Sequence, residues 1–209
     1  MTGRFIAIES LDGVGKTTLI AGLANALGAV PMATPGPAIK AHSEEILAAL
    51  GDDQTARCLF YASTVVAQGR RARAIADAGG LVVMDRYWLS TLSYARARGV
   101  TADLSGLEEA VPVPDVTVLL TLDEDERRRR LLRRGGATAA DIETLDDRFR
   151  AVVFGVMRCT GARSGGFMPV EIDVSGADQA EALARVVDIV RSARSSHGVG
   201  SASRARCQA

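Results

Sequence analysis

The residues best suited to chemistry lie near the N-terminus, where Gly13, Gly15, Lys16 and Thr17 follow an apolar run at residues 5–8. A strand, a glycine-containing turn and a Lys-Thr pair in this order indicate a phosphate-binding loop. The glycines let backbone N–H groups approach phosphate oxygens, and the next helix directs its positive dipole end to the same place. The lysine can reach outer phosphates, and the threonine hydroxyl can ligate Mg²⁺.

One position departs from the strict form of this loop. Ser10 stands where the pattern has glycine, although serine is small and tolerates a turn. A glycine-rich turn that holds no ligand is the alternative. We favour the phosphate loop because the strand, the turn, Lys16 and Thr17 all fall in register.

A second group of polar residues follows a later strand at residues 81–84, where Asp85 and Arg86 come directly after the apolar run. An acid at the carboxyl end of a parallel strand faces the crevice in which such sheets bind ligands. Asp85 is therefore a candidate metal residue, directly or through water, and Arg86 a candidate clamp for an anionic acceptor. A purely structural Asp-Arg pair is the alternative, and the nearby phosphate loop argues against it.

The elements that must position these residues alternate along the chain, and this alternation is typical of an α/β fold with helices on both faces of a parallel sheet. The predicted strands are residues 5–8, 29–33, 81–84, 116–122 and 170–174. The predicted helices are residues 17–27, 39–50, 54–78, 89–97, 124–134, 143–158 and 179–194.

Composition narrows the class of protein. The 209 residues are 47% hydrophobic, and 25 basic residues balance 25 acidic ones. This length and composition suit one well-packed domain, which we expect at residues 1–194. Because the charges balance, the chain has no net electrostatic field that would attract nucleic acid or a membrane surface. Short apolar runs and the lack of a signal-like N-terminus make the cytoplasm the expected compartment. Residues 195–209 are rich in Ser, Gly and Arg, which predicts a flexible tail.

In combination, these segments resemble the thymidylate kinase family over most of residues 4–194. The motifs that carry the likeness are residues 11–18, residues 59–62, Asp85-Arg86-Tyr87 with Ser90, Thr91 and Tyr94, Pro114-Asp115, and residues 172–175. The resemblance implies transfer of the γ-phosphoryl group of ATP to a nucleoside monophosphate, with Mg²⁺. It also implies a homodimer whose subunits have a five-stranded parallel sheet of the P-loop NTPase type.

The resemblance also assigns residues to roles. The implied ATP-binding residues are Asp12, Gly13, Val14, Gly15, Lys16, Thr17 and Thr18. The implied acceptor-binding residues are Asp12, Phe60, Thr64, Arg86, Thr91 and Tyr94. Among these, Phe60 is expected to stack under the acceptor base, and Tyr94 to line the sugar pocket. Thr17 and Asp85 are the implied metal residues. The implied catalytic residues are Lys16, Asp12, Arg86, Arg133 and Arg134.

Of that set, Arg133 and Arg134 belong to an expected lid at about residues 133–143. Closing a lid brings cations to the transferring phosphoryl group only when substrates are bound. Some family members carry an Arg in the loop itself, where this chain has Val14. Acids at 123–126 and bases at 127–130 stabilise any helix through its dipole, so we assign most of residues 127–130 to a solvated helix end.

The acceptor end departs from the family pattern. Ala33 replaces an Arg that touches the acceptor phosphate, and Thr64 replaces one that bonds the thymine edge. The usual Asp-Arg pair of the lid falls on residues 138–139, with Asp141 or Glu143 as nearby acids. Losing a charged donor weakens binding of that base, so the expected acceptor is a thymidylate-like or modified pyrimidine nucleotide, with dTMP itself a poor substrate. A non-catalytic ATP-binding module that acts through a protein partner is the second hypothesis.

Overall fold

The computed structural model describes residues 3–133, 139–164 and 167–192. Its centre is a five-stranded sheet in the order β2-β3-β1-β4-β5, and all neighbouring strands are parallel. The strands are β1 (Arg4–Ser10), β2 (Val30–Ala33), β3 (Leu81–Asp85), β4 (Val116–Thr121) and β5 (Pro169–Asp173). The predicted α/β class and all five predicted strands are confirmed.

Helices connect the strands and enclose the sheet. They are α1 (Lys16–Leu27), α2 (Pro37–Lys40), α3 (Ser43–Ala49), α4 (Gln54–Asp77), α5 (Trp88–Ala97), α6 (Ser105–Ala110), α7 (Glu124–Arg133), α8 (Ala139–Glu143), α9 (Asp147–Ser164) and α10 (Gln179–Ser192). Throughout the described ranges, none of these helices is long and apolar enough to cross a membrane. The predicted tail at residues 195–209 lies outside the described residues.

Strand β1 shows how the core divides into two layers. Phe5 and Ala7 pack with buried residues of α4, α5 and α9, whereas Ile6 and Ile8 pack with buried residues of α1 and α10. Successive side chains of a strand point to opposite faces, so a strand covered by helices on both faces must be apolar throughout. The uninterrupted apolar run at residues 5–8 is explained by this double burial.

Several boundaries differ from the prediction. The segment predicted as one helix over residues 39–50 is divided between α2 and α3, and the Ser43 hydroxyl donates to the Lys40 carbonyl at the break. The predicted helix 143–158 begins later, at Asp147, and follows the short α8. Helices α6 and α8 were not predicted, because five or six residues are too few for apolar periodicity to show.

The register of the sheet places the functional segments together. In the parallel ladder, Ile8 pairs with Asp85, and Ser10 pairs with Leu120. The carboxyl ends of β1, β3 and β4 therefore meet at one edge of the sheet. This is the edge at which ligands bind in open parallel sheets.

Candidate active site

The loop between β1 and α1 has the backbone expected of a phosphate loop. Gly13 and Gly15 have φ values of +90° and +94°, which a residue with a Cβ rarely adopts. A Cβ on Gly13 would also lie 2.9 Å from Leu131 Cγ. Ser10 is buried at the end of the strand, and its hydroxyl donates to the Leu11 carbonyl at 2.8 Å. The glycine of the strict pattern is therefore not needed at position 10.

The loop borders two cavities, and its residues divide between them. The larger cavity, about 910 Å³, is lined by Gly13, Val14, Gly15 and Thr18, together with residues from α7 and α10. The smaller one, about 380 Å³, is lined by Asp12, Lys16 and Thr17, together with residues of β3, α4 and α5. The arrangement gives one loop access to two separate ligands.

Lys16 forms an ion pair with Asp85 on the side of the smaller cavity. Only 8% of the Lys16 surface is exposed. Burial lowers the pKa of Lys16, the positive charge of Arg86 lowers it further, and Asp85 opposes both effects. The Asp85 carboxylate thus opposes the lowering of the Lys16 pKa that burial causes.

Arg86 is held firmly in place beside this pair. Its Nη2 lies 2.6 Å from Asp12 Oδ2, and its Nη1 donates to the Ser10 carbonyl at 3.2 Å. Its φ of +59° is unusual for a residue with a side chain, and the Thr34 hydroxyl donates to its carbonyl at 2.8 Å. Strained backbone of this kind is concentrated at functional sites, where surrounding contacts maintain it.

Helix α5 forms one wall of the smaller cavity, with Thr91, Tyr94 and Arg98 among the lining residues. The Tyr94 ring lies between two guanidinium groups, 5.5 Å from Arg86 and 5.6 Å from Arg98. Arg98 also binds Glu143 at the end of α8, with Nη2 at 2.6 Å from Oε2. Thr91 and Tyr94 thus line the same cavity as Arg86, and Glu143, a candidate lid acid, is paired with Arg98.

Helix α4 forms another wall, and here the placement differs from the prediction. Gln54, Arg57, Cys58 and Tyr61 line the cavity, whereas neither Phe60 nor Thr64 does. The Phe60 ring packs against Tyr61 at 5.2 Å. Thr64 is 2% exposed, and its hydroxyl donates to the Tyr61 carbonyl at 2.7 Å. The helical repeat brings residues 54, 57, 58 and 61 to one face, and that face excludes Phe60.

The assignment of residues 127–130 to a solvated helix end is wrong for two of the four arginines. Arg127 is 1% exposed and donates to the Asp12 carbonyl at 3.0 Å, the Thr144 carbonyl at 2.6 Å and the Glu124 carboxylate. Arg130 donates to the Val14 carbonyl at 3.2 Å and lines the larger cavity. Because α7 packs on the phosphate loop, Arg127 and Leu131 are buried, and Arg130 is partly buried beside them.

Of the two expected lid arginines, Arg133 lies on the side of the larger cavity. Arg133 is exposed, lines that cavity, and donates weakly to the Arg129 carbonyl at 3.4 Å. Arg134 lies outside the described residues, as does the first half of the expected lid. Arg130 thus lines the larger cavity beside Arg133, with its Nη2 paired to Glu126 Oε1 at 2.5 Å.

Sequence reasoning missed Glu9, which is fully buried. Its carboxylate accepts hydrogen bonds from the Leu89 and Ser90 amides at 3.0 and 3.3 Å and from the Ser90 hydroxyl. Burial raises the pKa of Glu9, and the bonds from Ser90 oppose the rise. Glu9 thereby ties β1 to the start of α5. The signal was an acidic residue within an otherwise apolar strand.

The donor set fits a magnesium ion that is shared with phosphates. Thr17 and Asp85 offer a hydroxyl and a carboxylate to the same cavity. Within the described ranges, no cluster of three or more His, Cys, Asp or Glu residues could hold a metal by itself. Magnesium usually takes one or two carboxylates and completes its octahedron with water and substrate phosphates.

Comparison with known proteins identifies the class. The fold, and a phosphate loop that borders two cavities, define a phosphate-loop enzyme. The family model described as thymidylate kinase matches residues 8–162. The probable thymidylate kinase of Pyrobaculum calidifontis is 30% identical over 198 residues, covering 92% of this chain and 98% of that protein. The thymidylate kinase of Limosilactobacillus fermentum is 31% identical over 209 residues, covering 92% and 95%.

Solved structures agree on the fold. Thymidylate kinase from Candida albicans superposes with a TM-score of 0.69 at 19% identity, covering 92% of this chain and 93% of that one. The Ehrlichia chaffeensis enzyme superposes with a TM-score of 0.65 at 19% identity, covering 91% of this chain and all of the other. The chain belongs to the thymidylate kinase family. It is a nucleoside monophosphate kinase, which is a transferase.

Proposed function

We propose that this enzyme transfers the γ-phosphoryl group of ATP to a thymidylate-like or modified pyrimidine nucleoside monophosphate. The observation that carries the proposal is the division of one phosphate loop between two cavities. In this assignment ATP occupies the larger cavity, next to Gly13, Gly15 and Thr18. The acceptor occupies the smaller cavity, next to Lys16 and Arg86.

The chemistry requires positioning and charge more than covalent catalysis. An oxygen of the acceptor phosphate attacks the γ-phosphorus, the bond from that phosphorus to the β–γ bridging oxygen breaks, and ADP leaves. Arg86 orients the acceptor phosphate, and Lys16 meets the negative charge that is shared between the two nucleotides. Thr17 and Asp85 would hold magnesium, which would supply further charge neutralisation on the phosphates.

Asp12 has a different role in this proposal. Its carboxylate holds the Arg86 guanidinium at 2.6 Å and borders the acceptor cavity. Asp12 therefore fixes the direction of the Arg86 guanidinium while remaining within reach of the acceptor sugar. Thr91 and Tyr94 line the same cavity from α5.

The lid supplies cations on the ATP side. We assign this role to Arg133 and Arg134, and add Arg130 because it already contacts the phosphate loop at Val14. Cations that arrive with lid closure stabilise the transferring group without assisting hydrolysis in the open enzyme. The family resemblance further leads us to propose a homodimer that works on nucleotide substrates in the cytoplasm.

A screen of ADP release tests this function. The wild-type enzyme is supplied with ATP, Mg²⁺ and one nucleoside monophosphate at a time, with dTMP, dUMP, dCMP and dGMP in the panel. A kinase releases ADP only with a suitable acceptor, and a pyrimidine acceptor is expected to be best. A binding module that acts through a protein partner would show negligible ADP release with every acceptor, and that result would contradict the proposal.

A further inference from the structure

We propose that Arg57 recognises the acceptor base by donating hydrogen bonds to a carbonyl oxygen on its edge, an inference that rests on the proposed function. A pyrimidine with an oxo group at position 4 then fits the cavity, and one with an amino group there is disfavoured. Arg57 lies on the cavity face of α4, one helical turn before Tyr61. This places a charged donor and an aromatic ring side by side on one wall.

The guanidinium of Arg57 has hydrogen-bonding capacity to spare. Its Nε is buried and has no hydrogen-bond partner among the residues that the structure describes. Its Nη2 makes only a long bond to the Leu47 carbonyl at 3.4 Å and a distant ion pair with Asp52 at 3.9 Å. A buried N–H without a partner costs free energy, which a ligand atom would recover once the side chain turns that N–H toward the cavity.

Other cations of this cavity already face carboxylates. Lys16 pairs with Asp85, Arg86 with Asp12, and Arg98 with Glu143. Lys40 also lines the cavity, but it is exposed at the end of the short α2. Arg57 is therefore the partly buried guanidinium best able to form new bonds with a ligand.

The chemistry of the guanidinium sets the selectivity. Its N–H groups only donate, so it bonds a carbonyl oxygen and leaves an amino group without a partner. A site built to donate rejects an analogue that lacks the matching acceptor atom. Thr64 stands at the position where the family has a charged donor. Its side chain is 2% exposed and donates a hydrogen bond to the Tyr61 carbonyl, so it does not reach the acceptor base.

A different role for the same cation makes a different prediction. Ala33 stands where a cation touches the acceptor phosphate in the family, and Arg57 lines the same cavity as Ala33. If Arg57 instead held that phosphate, its loss would weaken every acceptor equally, because all carry the same phosphate. Base recognition predicts a change in the ratio between acceptors.

The experiment compares wild type, Arg57→Met and Arg57→Lys, using ADP release with dTMP, dUMP and dCMP. The matched control is Arg71→Met, which removes an exposed arginine from the same helix away from the cavity. In Arg57→Met, kcat/KM for dTMP and dUMP is expected to fall about tenfold or more, as for one lost charged hydrogen bond, with dCMP changed by less than about threefold. The KM for ATP should stay within about twofold of wild type, since the ATP cavity is untouched. Arg57→Lys should recover part of the ratio.

A uniform loss across the three acceptors, no loss in Arg57→Met, or a wild-type preference for dCMP over dUMP would each overturn the role of Arg57. Urea unfolding of each variant establishes that the fold is retained. If the wild type itself releases no ADP with any of the three, the proposed function fails, and the base-recognition role fails with it. The two failures are thus distinguished by the wild-type measurement alone.

Discussion

Lys16 and Asp85 are 69 residues apart in the sequence and form an ion pair where α1 begins and β3 ends. The pairing follows from the sheet, because β1 and β3 are parallel neighbours and Asp85 lies opposite Ile8. The lysine leads into one nucleotide cavity, and the carboxylate is the candidate metal ligand. Each side chain therefore holds the other in place in this structure.

Lys16→Ala is expected to reduce turnover at least about a hundredfold, since a preorganised cation at developing phosphoryl charge supplies that much or more. The measurement is ADP release on the best acceptor. Urea unfolding shows that the variant retains its fold. Near-normal ADP release by this variant would show that Lys16 does not take part in phosphoryl transfer.

Asp85→Asn is expected to raise the magnesium concentration needed for half-maximal activity. The substitution keeps the shape of the side chain and deletes the charge that faces both the metal and Lys16. Asp125→Asn, at an exposed position of α7, is the matched control. If Asp85→Asn lowers the free energy of unfolding while the magnesium dependence of its activity stays the same, Asp85 is a structural strand-end residue.

Arg133→Ala and Arg134→Ala are expected to lower kcat, with a smaller effect on ATP binding to the open enzyme, because lid cations act after closure. The control is Arg128→Ala, an exposed arginine of α7 that does not line the ATP cavity. ATP binding is followed by titration calorimetry, and kcat by ADP release. An unchanged kcat in both single variants and in the double variant would show that these arginines have no catalytic role and belong to a solvated helix end.

Glu9→Gln is expected to change how stability depends on pH. Burial raises the pKa of Glu9 above its ordinary value of 4.5, so its contribution to stability is present below pH 4.5 and is lost as the pH rises through the raised pKa. The free energy of unfolding of wild type, relative to that of Glu9→Gln, should therefore fall as the pH rises from 4.5 to 8. Urea unfolding across this range measures the difference, with the exposed Glu109→Gln as control. A difference that is constant or rises with pH would show that Glu9 is not held in this way.

Much of the fold could be predicted because each strand is an apolar run bounded by polar turns, as at residues 81–84. The phosphate loop could be predicted because its glycines and Lys16 have fixed spacing. The cavity-lining residues of α4 could not be predicted, because matching the aromatic residue of the family motif favours Phe60. Only the packed orientation of the helix shows that Arg57 and Tyr61 line the cavity. The buried position of Arg127 could not be predicted either, because Arg127 belongs to a run of four arginines. Only the packing of α7 on the phosphate loop shows which of them point inward.

Transfer of the terminal phosphoryl group between the two cavities is the central claim, and γ-³²P-labelled ATP tests it most directly. The enzyme is incubated with labelled ATP, Mg²⁺ and the best pyrimidine acceptor, and the products are separated by thin-layer chromatography. We predict that the label appears in the nucleoside diphosphate, depends on the acceptor, and is lost in Lys16→Ala. Label that appears as free inorganic phosphate, or that stays in ATP with every acceptor, would contradict the account.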